Sequence, residues 1–284
     1  MKVFQPVIKW TGSKRSQSNE IVSYFPKEIE TYYEPFCGGC SVLRELLDSD
    51  IKVENYICSD NNHDLIMLWK TIKMTPSILS SAYRRLWNEL NKNDDIERKK
   101  YLYEEIRNRF NMYRNPMDFM FLNRTCYNGL IRYNTEGDFN TSFHFSRKGI
   151  GPDKFDKIVN EWSELLNDNK VAFLTKDYRQ INPYENDFMY IDPPYNNTNG
   201  VYTDDFTNAE LFEWIRKLKC DYALSYNGKS GNEDNTYNVP TDLYTNHVYI
   251  KSGNSSFKRI KKSDTQALVY ESLYINKKNN KLLL

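Results

Sequence analysis

The sequence predicts an α/β fold, with a mixed, mainly parallel sheet of seven strands, flanking helices and a helical insertion that carries a β-hairpin. Strand and helix patterns alternate over residues 1–72, which is typical of parallel strands joined by right-handed helical crossovers. Short, continuously apolar runs return after residue 169, as in strands buried on both faces of a sheet. Between these parts, apolar residues recur mainly at helical spacing.

The chain opens with two predicted strand–helix units. The first strand is expected over residues 31–34 and ends in a turn that contains Gly38 and Gly39. The helix after this turn presents one apolar face. The second strand ends at Asp60, and the helix that follows it again carries apolar residues at helical spacing.

Residues 73–168 are predicted to form a separate, mainly helical domain, inserted between the two parts of a sheet domain, 1–72 and 169–284. Within the insertion, residues 130–139 form a polar segment with Gly137 at its turn, a pattern that indicates a β-hairpin. We therefore expect two domains.

The sheet is expected to resume with apolar strands over residues 171–174 and 188–191, the second of which runs directly into Asp192. Thr207 and Glu210 have the spacing of a capping box, which predicts that a helix begins there. Three more strands complete the seven, near residues 221–225, 248–251 and 267–274.

Composition and charge argue against a membrane-spanning or secreted protein. No apolar run reaches the roughly 18 residues of a membrane span, and no signal-peptide core is recognisable. The 39 Lys and Arg residues nearly balance the 38 Asp and Glu residues, so net charge does not indicate a nucleic-acid partner. The five cysteines follow no disulfide spacing, which is typical of reduced thiols. We therefore expect a cytoplasmic protein.

The most specific motif is Asp192-Pro193-Pro194-Tyr195, directly after a predicted buried strand. Two prolines fix φ and remove two backbone donors, so carbonyl groups stay free to accept hydrogen bonds beside a carboxylate. Ligands of open α/β sheets bind at this carboxyl edge. A simple proline-rich strand end would explain the two prolines, but not the flanking Asp and Tyr.

This tetrapeptide resembles the catalytic motif of amino-methylating DNA methyltransferases, whose Asp form is typical of adenine enzymes. Together with further segments of the chain, this tetrapeptide makes the sequence resemble the Dam-like (alpha group, D12 class) DNA adenine-N6 methyltransferases. The resemblance implies a Rossmann-like methyltransferase fold, S-adenosylmethionine as cofactor and an adenine flipped out of double-stranded DNA. It implies that Asp192 and the Pro193 carbonyl accept hydrogen bonds from the adenine N6 amine, and that Tyr195 stacks on the base.

The turn after the first strand has the character of a cofactor site, because glycines there let the backbone approach a ligand closely. Asp60 ends the next strand, where nucleotide-binding sheets place a ribose-binding carboxylate. The family has a Phe-x-Gly-x-Gly turn, and Cys40 stands where its second Gly is usual. The resemblance assigns these residues to the cofactor: Glu34, Phe36, Gly38, Gly39 and Asp60.

Cys37 and Cys40 also spell Cys-x-x-Cys, which raises metal and redox alternatives. A structural zinc site needs four ligands, and no partner pair with suitable spacing is evident. A thioredoxin-like site would place the motif in another context. We therefore predict no metal.

The N-terminal segment Lys9-Trp10-Thr11-Gly12-Ser13-Lys14 resembles the Lys-Trp-Ala-Gly-Gly-Lys opening of the family. The resemblance implies that Trp10, Gly12 and Lys14 lie at the methionine end of the cofactor and that Lys9 reaches the DNA. An ordinary amphipathic entry to a helix is the alternative. A weaker resemblance assigns two more residues to the cofactor adenine: Asp177 and Tyr178.

Residues 121–140 resemble the DNA-recognition segment of the family. The resemblance implies that Tyr127, Asn128 and Leu130 enter the duplex around the flipped base and that Arg132 reads a guanine. A surface hairpin with incidental polar residues is the alternative. Further DNA contacts are assigned to four residues, the last two in a basic loop: Asn140, Ser142, Lys258 and Arg259.

The target sequence stays open, because the chain departs from the family beside the recognition segment. Family members often continue with Phe-Asn-Val-Pro-Phe-Gly, where this chain reads Phe-Asn-Thr-Ser-Phe-His from Phe139 to His144. GATC is the leading candidate because of Lys9 and Arg132.

Three other functions compete with this interpretation. A methyltransferase for RNA or for a protein glutamine is one, although glutamine enzymes usually carry Asn in place of Asp192. A nicotinamide dehydrogenase would share the glycine turn and Asp60 but would leave Asp-Pro-Pro-Tyr unexplained. A catalytically silent DNA-binding module is the third. We expect a monomer, with a restriction endonuclease for the same site as a candidate partner; a repair-marking or phage role is equally compatible with the sequence.

Overall fold

The computed structural model describes residues 5–146, 148–195, 206–254 and 268–277. The chain divides into two compact units. The helical unit comprises Met1–Ser13 and Asn62–Thr175, and the sheet unit comprises Lys14–Asn61 and Lys176–Leu284.

The described part of the chain contains eight strands and eight α-helices. The strands are β1 (Glu28–Glu34), β2 (Lys52–Asp60), β3 (Ala172–Thr175), β4 (Phe188–Ile191), β5 (Asp221–Ser230), β6 (Glu233–Asp234), β7 (Asn246–Asn254) and β8 (Leu268–Asn276). The helices are α1 (Ser18–Ser23), α2 (Ser41–Leu47), α3 (His63–Met74), α4 (Pro76–Leu90), α5 (Ile96–Tyr113), α6 (Pro116–Thr125), α7 (Pro152–Asp168) and α8 (Asn208–Lys217). The two-residue β6 is the strand added to the predicted seven.

In the sheet unit, the strand order is β2-β1-β4-β5-β8-β7, and β6 pairs with β5. Strands β2, β1, β4 and β5 run parallel to their neighbours. Strand β8 returns antiparallel beside β5, and β7 pairs antiparallel with β8. The prediction of a mixed α/β fold with an open, mainly parallel sheet is confirmed.

Three parallel strands of the sheet unit end in acidic residues. Glu34 ends β1, Asp60 ends β2, and Asp192 directly follows β4. Because the carboxyl ends of neighbouring parallel strands meet at one edge, the sheet presents these three side chains along the same edge. The capping prediction holds in part for α8, where the Thr207 hydroxyl accepts a hydrogen bond from the Glu210 backbone N–H at 3.2 Å.

In the helical unit, α3 and β3 pack with the inserted helices. Trp69 of α3 lies 4.8 Å from Trp162 of α7, centroid to centroid, and stacks on Phe173 of β3 at 5.4 Å. The Lys73 ammonium also donates a hydrogen bond to the Val171 carbonyl at 2.7 Å. These contacts place the limits of the compact unit at 62 and 175, outside the predicted 73–168. The functional division into catalytic and recognition domains stays a prediction.

The predicted hairpin is formed by bridges rather than by continuous strands. Tyr133 pairs with Phe139 in an isolated antiparallel bridge. The Asn134 N–H donates to the Asp138 carbonyl at 2.9 Å, and Gly137 takes a φ of +80° at the turn. Gly137 therefore occupies the turn position for which it was predicted. Among the described residues, no helix is long and apolar enough to cross a membrane.

Candidate active site

Asp192 lies at the carboxyl edge of the sheet because β4 delivers it there. All four residues of β4 are buried, and the two prolines then lead the chain out of the sheet. The Lys14 Nζ lies 2.7 Å from Asp192 Oδ1, and the Tyr195 hydroxyl donates to the same oxygen at 3.2 Å. Burial raises the pKa of Asp192, while Lys14 opposes that rise.

Lys14 is a buried cation, with only 4% of its side chain exposed. Burial alone would lower the pKa of Lys14, but Asp192 and Glu271 outweigh it and the pKa is raised. Its ammonium also lies 5.1 Å from the centre of the Tyr195 ring, a cation–π contact. The structure thus joins Lys14 to Asp192, and its contact with the cofactor stays a prediction.

Glu271 of β8 belongs to the same cluster, and sequence reasoning missed it. Its Oε2 lies 3.4 Å from the Lys14 Nζ and accepts a hydrogen bond from the Tyr195 hydroxyl at 3.4 Å. One signal could have found it: a single carboxylate interrupts the otherwise uncharged strand β8. A charge in a sheet strand is costly unless it is paired.

Tyr195 is fixed from a second side. Its ring stacks on the Tyr226 ring at 5.5 Å, with 29° between the planes. The Tyr226 hydroxyl in turn donates to the side-chain oxygen of Asn208, at the start of α8. Tyr195 is therefore anchored to the sheet and to a helix.

Glu34 is buried at the end of β1 and supports the turn that follows. Its Oε2 accepts hydrogen bonds from the Tyr32 hydroxyl at 2.8 Å and from the Leu43 N–H of α2 at 3.1 Å. Burial raises the pKa of Glu34 to about 8, although the hydrogen bond from Tyr32 opposes the rise. Glu34 thus joins β1 to the first turn of α2, and its cofactor contact stays a prediction.

The glycine turn is tied to the end of β2. The Gly38 N–H donates to Asp60 Oδ2 at 3.2 Å, and the Cys37 N–H donates to the Ser59 carbonyl at 3.0 Å. Cys40 adopts the left-handed conformation, with φ 51° and ψ 39°, directly before α2. It thus keeps a glycine-like backbone where the family usually has Gly, at a cost on the order of 1 kcal/mol.

Three cysteines are buried here: Cys37 and Cys40 in the turn itself, and Cys58 in β2. Burial raises the pKa of Cys37 to about 12, which keeps its thiol protonated. In the described ranges no group of His, Cys, Asp and Glu side chains is arranged to hold a metal ion. These thiols therefore behave as packing residues of the turn.

An aromatic surface lies beside the turn in the sheet unit. The Tyr178 ring lies 5.2 Å from the Phe36 ring and 5.0 Å from the Trp214 ring, and Phe206 contacts both Phe36 and Tyr178. Phe206 is a member that sequence reasoning missed. Asp177 pairs with Arg179, since two nitrogens of Arg179 contact the two carboxylate oxygens of Asp177 at 2.8 and 2.9 Å. This pairing lowers the pKa of Asp177.

In the helical unit, the structure brings Lys9 beside the predicted recognition segment. The Lys9 N–H donates to the Asn123 side-chain oxygen at 2.9 Å, and the Asn123 amide donates back to the Lys9 carbonyl at 2.7 Å. Gly129 takes a φ of +69°, and a Cβ on it would meet Lys9 carbons at 3.0 Å. Two segments that are distant in sequence and were both predicted to contact DNA are therefore neighbours. Trp10 is half-buried, and Gly12 is exposed with a φ of +77°.

The recognition tip, residues 127–132, exposes its polar side chains. Tyr127 is 52% exposed, and its ring stacks on the His144 ring at 5.3 Å. Asn128 takes a left-handed φ of 54°. Arg132 is exposed, and its Nε donates to the Asn140 side-chain oxygen at 2.9 Å.

The other predicted DNA contacts are placed as follows. Leu130 is half-buried, and Ser142 is exposed, with its carbonyl accepting the Tyr127 N–H at 2.8 Å. Lys258 and Arg259 lie outside the described residues. The structure therefore describes the part of the predicted DNA surface around the recognition tip. The DNA contacts of the basic loop stay a prediction.

The fold and the site define the class of protein: an α/β protein with a lysine-paired carboxylate at the carboxyl edge of a mainly parallel sheet. Residues 10–230 match the family of D12 class N6 adenine-specific DNA methyltransferases. The chain belongs to this family and is an adenine-specific DNA methyltransferase.

Several characterised relatives are similar over most of their length. The type II methyltransferase M.MjaIII of Methanocaldococcus jannaschii is 33% identical, over 83% of this chain and 85% of the relative. The retron Ec67 DNA adenine methylase of Escherichia coli is 29% identical, over 88% of this chain and 84% of the relative. The DNA adenine methylase of Serratia marcescens is 31% identical, over 74% of this chain and 76% of the relative.

Among solved structures, the rRNA methyltransferase aviRa from Streptomyces viridochromogenes aligns with a TM-score of 0.37 and 12% identity, over 90% of this chain and 80% of that one.

Proposed function

We propose that this enzyme transfers a methyl group from S-adenosylmethionine to the N6 amine of an adenine that it has flipped out of duplex DNA. The observation that carries the proposal is the geometry of Asp192. Both of its contacts with described residues, from Lys14 and Tyr195, fall on Oδ1. With respect to the described residues, Oδ2 is the oxygen left to accept a hydrogen bond from the target amine.

The chemistry requires such an acceptor because the lone pair of the adenine amine is conjugated with the ring. Hydrogen bonds from the amine to Asp192 Oδ2 and to the Pro193 carbonyl favour a lone pair localised on nitrogen. Bound S-adenosylmethionine would supply the methyl group from its sulfonium and leave as the neutral thioether. The proton lost from the methylated nitrogen would pass to the Asp192 carboxylate that accepts its hydrogen bond, and from there to solvent. Tyr195 would stack on the base, offsetting part of the few kcal/mol that flipping costs.

The residues at the sheet edge fit S-adenosylmethionine, which supplies an electrophilic methyl group when bound. A carboxylate suits its ribose hydroxyls, and Asp60 at the end of β2 supplies one. Glu34 is proposed as a neutral hydrogen-bonding group, because burial raises its pKa to about 8. Aromatic rings suit the cofactor adenine, and Phe36 and Tyr178 form such a surface. We propose that these residues hold the cofactor, with Lys14, Gly38, Gly39 and Asp177 as further contacts. The assignment of Trp10 and Gly12 to the cofactor stays a prediction.

DNA reading is proposed for the recognition tip and the residues around it. Tyr127 and Asn128 are exposed members of this tip, and Lys9 lies beside it. Arg132 is also exposed, and we propose that it contacts a guanine in the major groove. GATC is the proposed target. Methylome sequencing of a host that expresses the enzyme tests this proposal, and methylation confined to another motif would contradict it.

We further propose a cytoplasmic monomer that methylates chromosomal or phage DNA, with a restriction endonuclease of the same specificity as a candidate partner. The support is the similarity to M.MjaIII, which is named a type II methyltransferase. A neighbouring nuclease gene whose product cuts only unmethylated target DNA would support this role. Size-exclusion chromatography with light scattering tests the monomer.

The deciding experiment is tritiated methyl transfer to adenine-containing duplexes by wild type and Asp192→Ala. We expect the variant to lose on the order of a hundredfold to a thousandfold in turnover, since it removes an electrostatic contact made to the reacting group. Cofactor and DNA binding, followed by calorimetry, should persist. Asp50→Ala, at an exposed position, is the matched control. Near-normal turnover by Asp192→Ala would overturn the mechanism, and methylation of RNA but not DNA would overturn the substrate.

A further inference from the structure

Glu271 contacts both groups that hold the catalytic carboxylate. Its Oε2 lies 3.4 Å from the Lys14 Nζ and accepts from the Tyr195 hydroxyl at 3.4 Å. Its Oε1 accepts from the Ser252 hydroxyl at 3.3 Å. Both carboxylate oxygens are thus engaged. The side chain is 22% exposed, so these contacts are only partly screened by water.

The two strands that pair with β8 are both irregular beside Glu271. Strands β5 and β7, the two neighbours of β8, each shift register along residues 269–271 of β8. Gly228 of β5 lies in one of these shifts, and a Cβ on it would approach the Tyr270 carbonyl oxygen to 2.4 Å and Glu271 Cα to 3.0 Å. In both shifts the extra residue lies on the neighbouring strand, Gly228 on β5 and Ser252 on β7. Bulges occur often next to active sites, and here the bulged Ser252 contacts Glu271.

Stability alone does not account for this second carboxylate. The buried Lys14 ammonium needs a partner, and Asp192 already supplies one at 2.7 Å. Glu271 adds a second negative charge to the same cation, and its repulsion contributes to the raised pKa of Asp192. A cluster selected only for stability would omit that repulsion.

We propose that Glu271 is a positioning residue for methyl transfer. It holds the Lys14 ammonium against Oδ1 of Asp192 and shares the single proton of the Tyr195 hydroxyl with that oxygen, so that Oδ2 stays directed at the target amine. It also keeps the ammonium paired when Asp192 shares its charge with that amine. This inference rests on the proposed role of Asp192 and deepens it.

The test is Glu271→Gln, which keeps the shape of the side chain and removes its charge. With saturating S-adenosylmethionine and duplex DNA, its single-turnover rate should fall by about tenfold to a hundredfold, the loss that follows a catalytic group misplaced by about 1 Å. The dissociation constants for cofactor and DNA should stay within about twofold, because Glu271 acts through Lys14 and Tyr195. Glu233→Gln, on the exposed β6, is the matched control and should keep the wild-type rate.

The pH profile separates positioning from a merely structural role. Asp192 faces Lys14, Tyr195 and Glu271, and it also interacts electrostatically with Tyr190 and Glu34. Removing the Glu271 charge removes a repulsion that raises the pKa of Asp192, so that pKa falls. The rate needs the ionised carboxylate and is lost as the pH drops through this pKa. The acid limb of the rate should therefore move to lower pH in Glu271→Gln.

Glu271→Asp provides a second variant, because it keeps the charge and shortens the side chain by one methylene. Its rate should fall as in Glu271→Gln, while its acid limb stays near that of wild type. Circular dichroism and cofactor binding establish that each variant folds. A wild-type rate in whichever variant folds, with Asp192→Ala inactive, would overturn the role of Glu271 alone. Activity in Asp192→Ala would overturn the proposed function and, with it, this inference.

Discussion

The carboxylate cluster of the sheet unit and the recognition tip of the helical unit satisfy their polar groups in opposite ways. In the cluster, Asp192, Lys14 and Glu271 are mostly removed from water, and the Lys14 ammonium lies 2.7 Å from Asp192 and 3.4 Å from Glu271. In the tip, Tyr127 is 52% exposed, and Arg132 is exposed beside one amide partner.

The difference shows where each region obtains its organisation. Groups that stabilise a reacting centre act best when the protein orients them in advance in a low-dielectric site, since little reorganisation is then needed during the reaction. Groups that read DNA gain their energy from contacts that form only with the correct base pair. Variants of the cluster should therefore alter chemistry and stability, whereas variants of the tip should alter the choice of DNA.

The largest effect is expected for Lys14→Met. It leaves two carboxylates facing each other without their shared cation, and loss of one partner of a buried ion pair costs about 3–5 kcal/mol. Lys14 lowers the pKa of Asp192, so its removal should raise that pKa and move the acid limb of the rate to higher pH, opposite to Glu271→Gln.

Urea unfolding and single-turnover rates measure the two effects. Lys52→Met removes an exposed ion pair with Glu28 and is the matched control, with little change in the free energy of unfolding. Unchanged stability and an unchanged pH profile in Lys14→Met would show that the cluster is not a paired unit.

Asp60→Ala should affect the cofactor rather than the DNA. The variant removes the carboxylate that accepts the Gly38 N–H and that we propose for the ribose. Each hydrogen bond to a charged group contributes roughly 1.5–3 kcal/mol, so the dissociation constant for S-adenosylmethionine should rise by about tenfold to a hundredfold. Calorimetry with Asp50→Ala as control measures it. An unaltered dissociation constant would remove Asp60 from the cofactor site.

Arg132→Ala should relax the DNA specificity. A bidentate contact to a guanine discriminates by about 1–3 kcal/mol, and Lys cannot reproduce that geometry. We therefore expect kcat/KM on duplexes altered at one base pair to approach that on the target duplex in both Arg132→Ala and Arg132→Lys. Arg85→Ala, exposed on α4, serves as control. Equal losses on every duplex would mean that Arg132 only positions the DNA.

The smallest effect is expected at His144, which stands where the family often has Gly and stacks on Tyr127. Aromatic pairs contribute about 0.5–1.5 kcal/mol beyond burial, so His144→Ala should reduce flipping of a fluorescent base analogue at the target position by that margin. His144→Phe keeps a ring and should restore it, and His63→Ala, at an exposed position, is the control. Failure of Phe to rescue would assign the effect to the ring nitrogens, one of which contacts Ser146.

Local sequence patterns predicted those features that local physics controls. The apolar run before Asp192 predicted a strand that ends there, and Gly137 and Thr207 predicted a turn and a helix start. Patterns did not reveal that Phe206 joins the aromatic surface, since that contact depends on how α8 packs. Similarly, the packing of Trp69 on α7 joined α3 to the helical unit, which periodicity alone could not show.

By itself, the sequence determined the order of strands and helices and the placing of Asp192 at a strand end, because residue spacing and proline act over a few neighbouring residues. Only the tertiary structure decided that Lys14 and Tyr195 meet on Asp192 and that Glu271 contacts them both. Strand β8 brings Glu271 there by returning antiparallel beside β5, in the register that pairs Glu271 with Asn227. Such register is set by pairing between distant strands, and no local pattern encodes it.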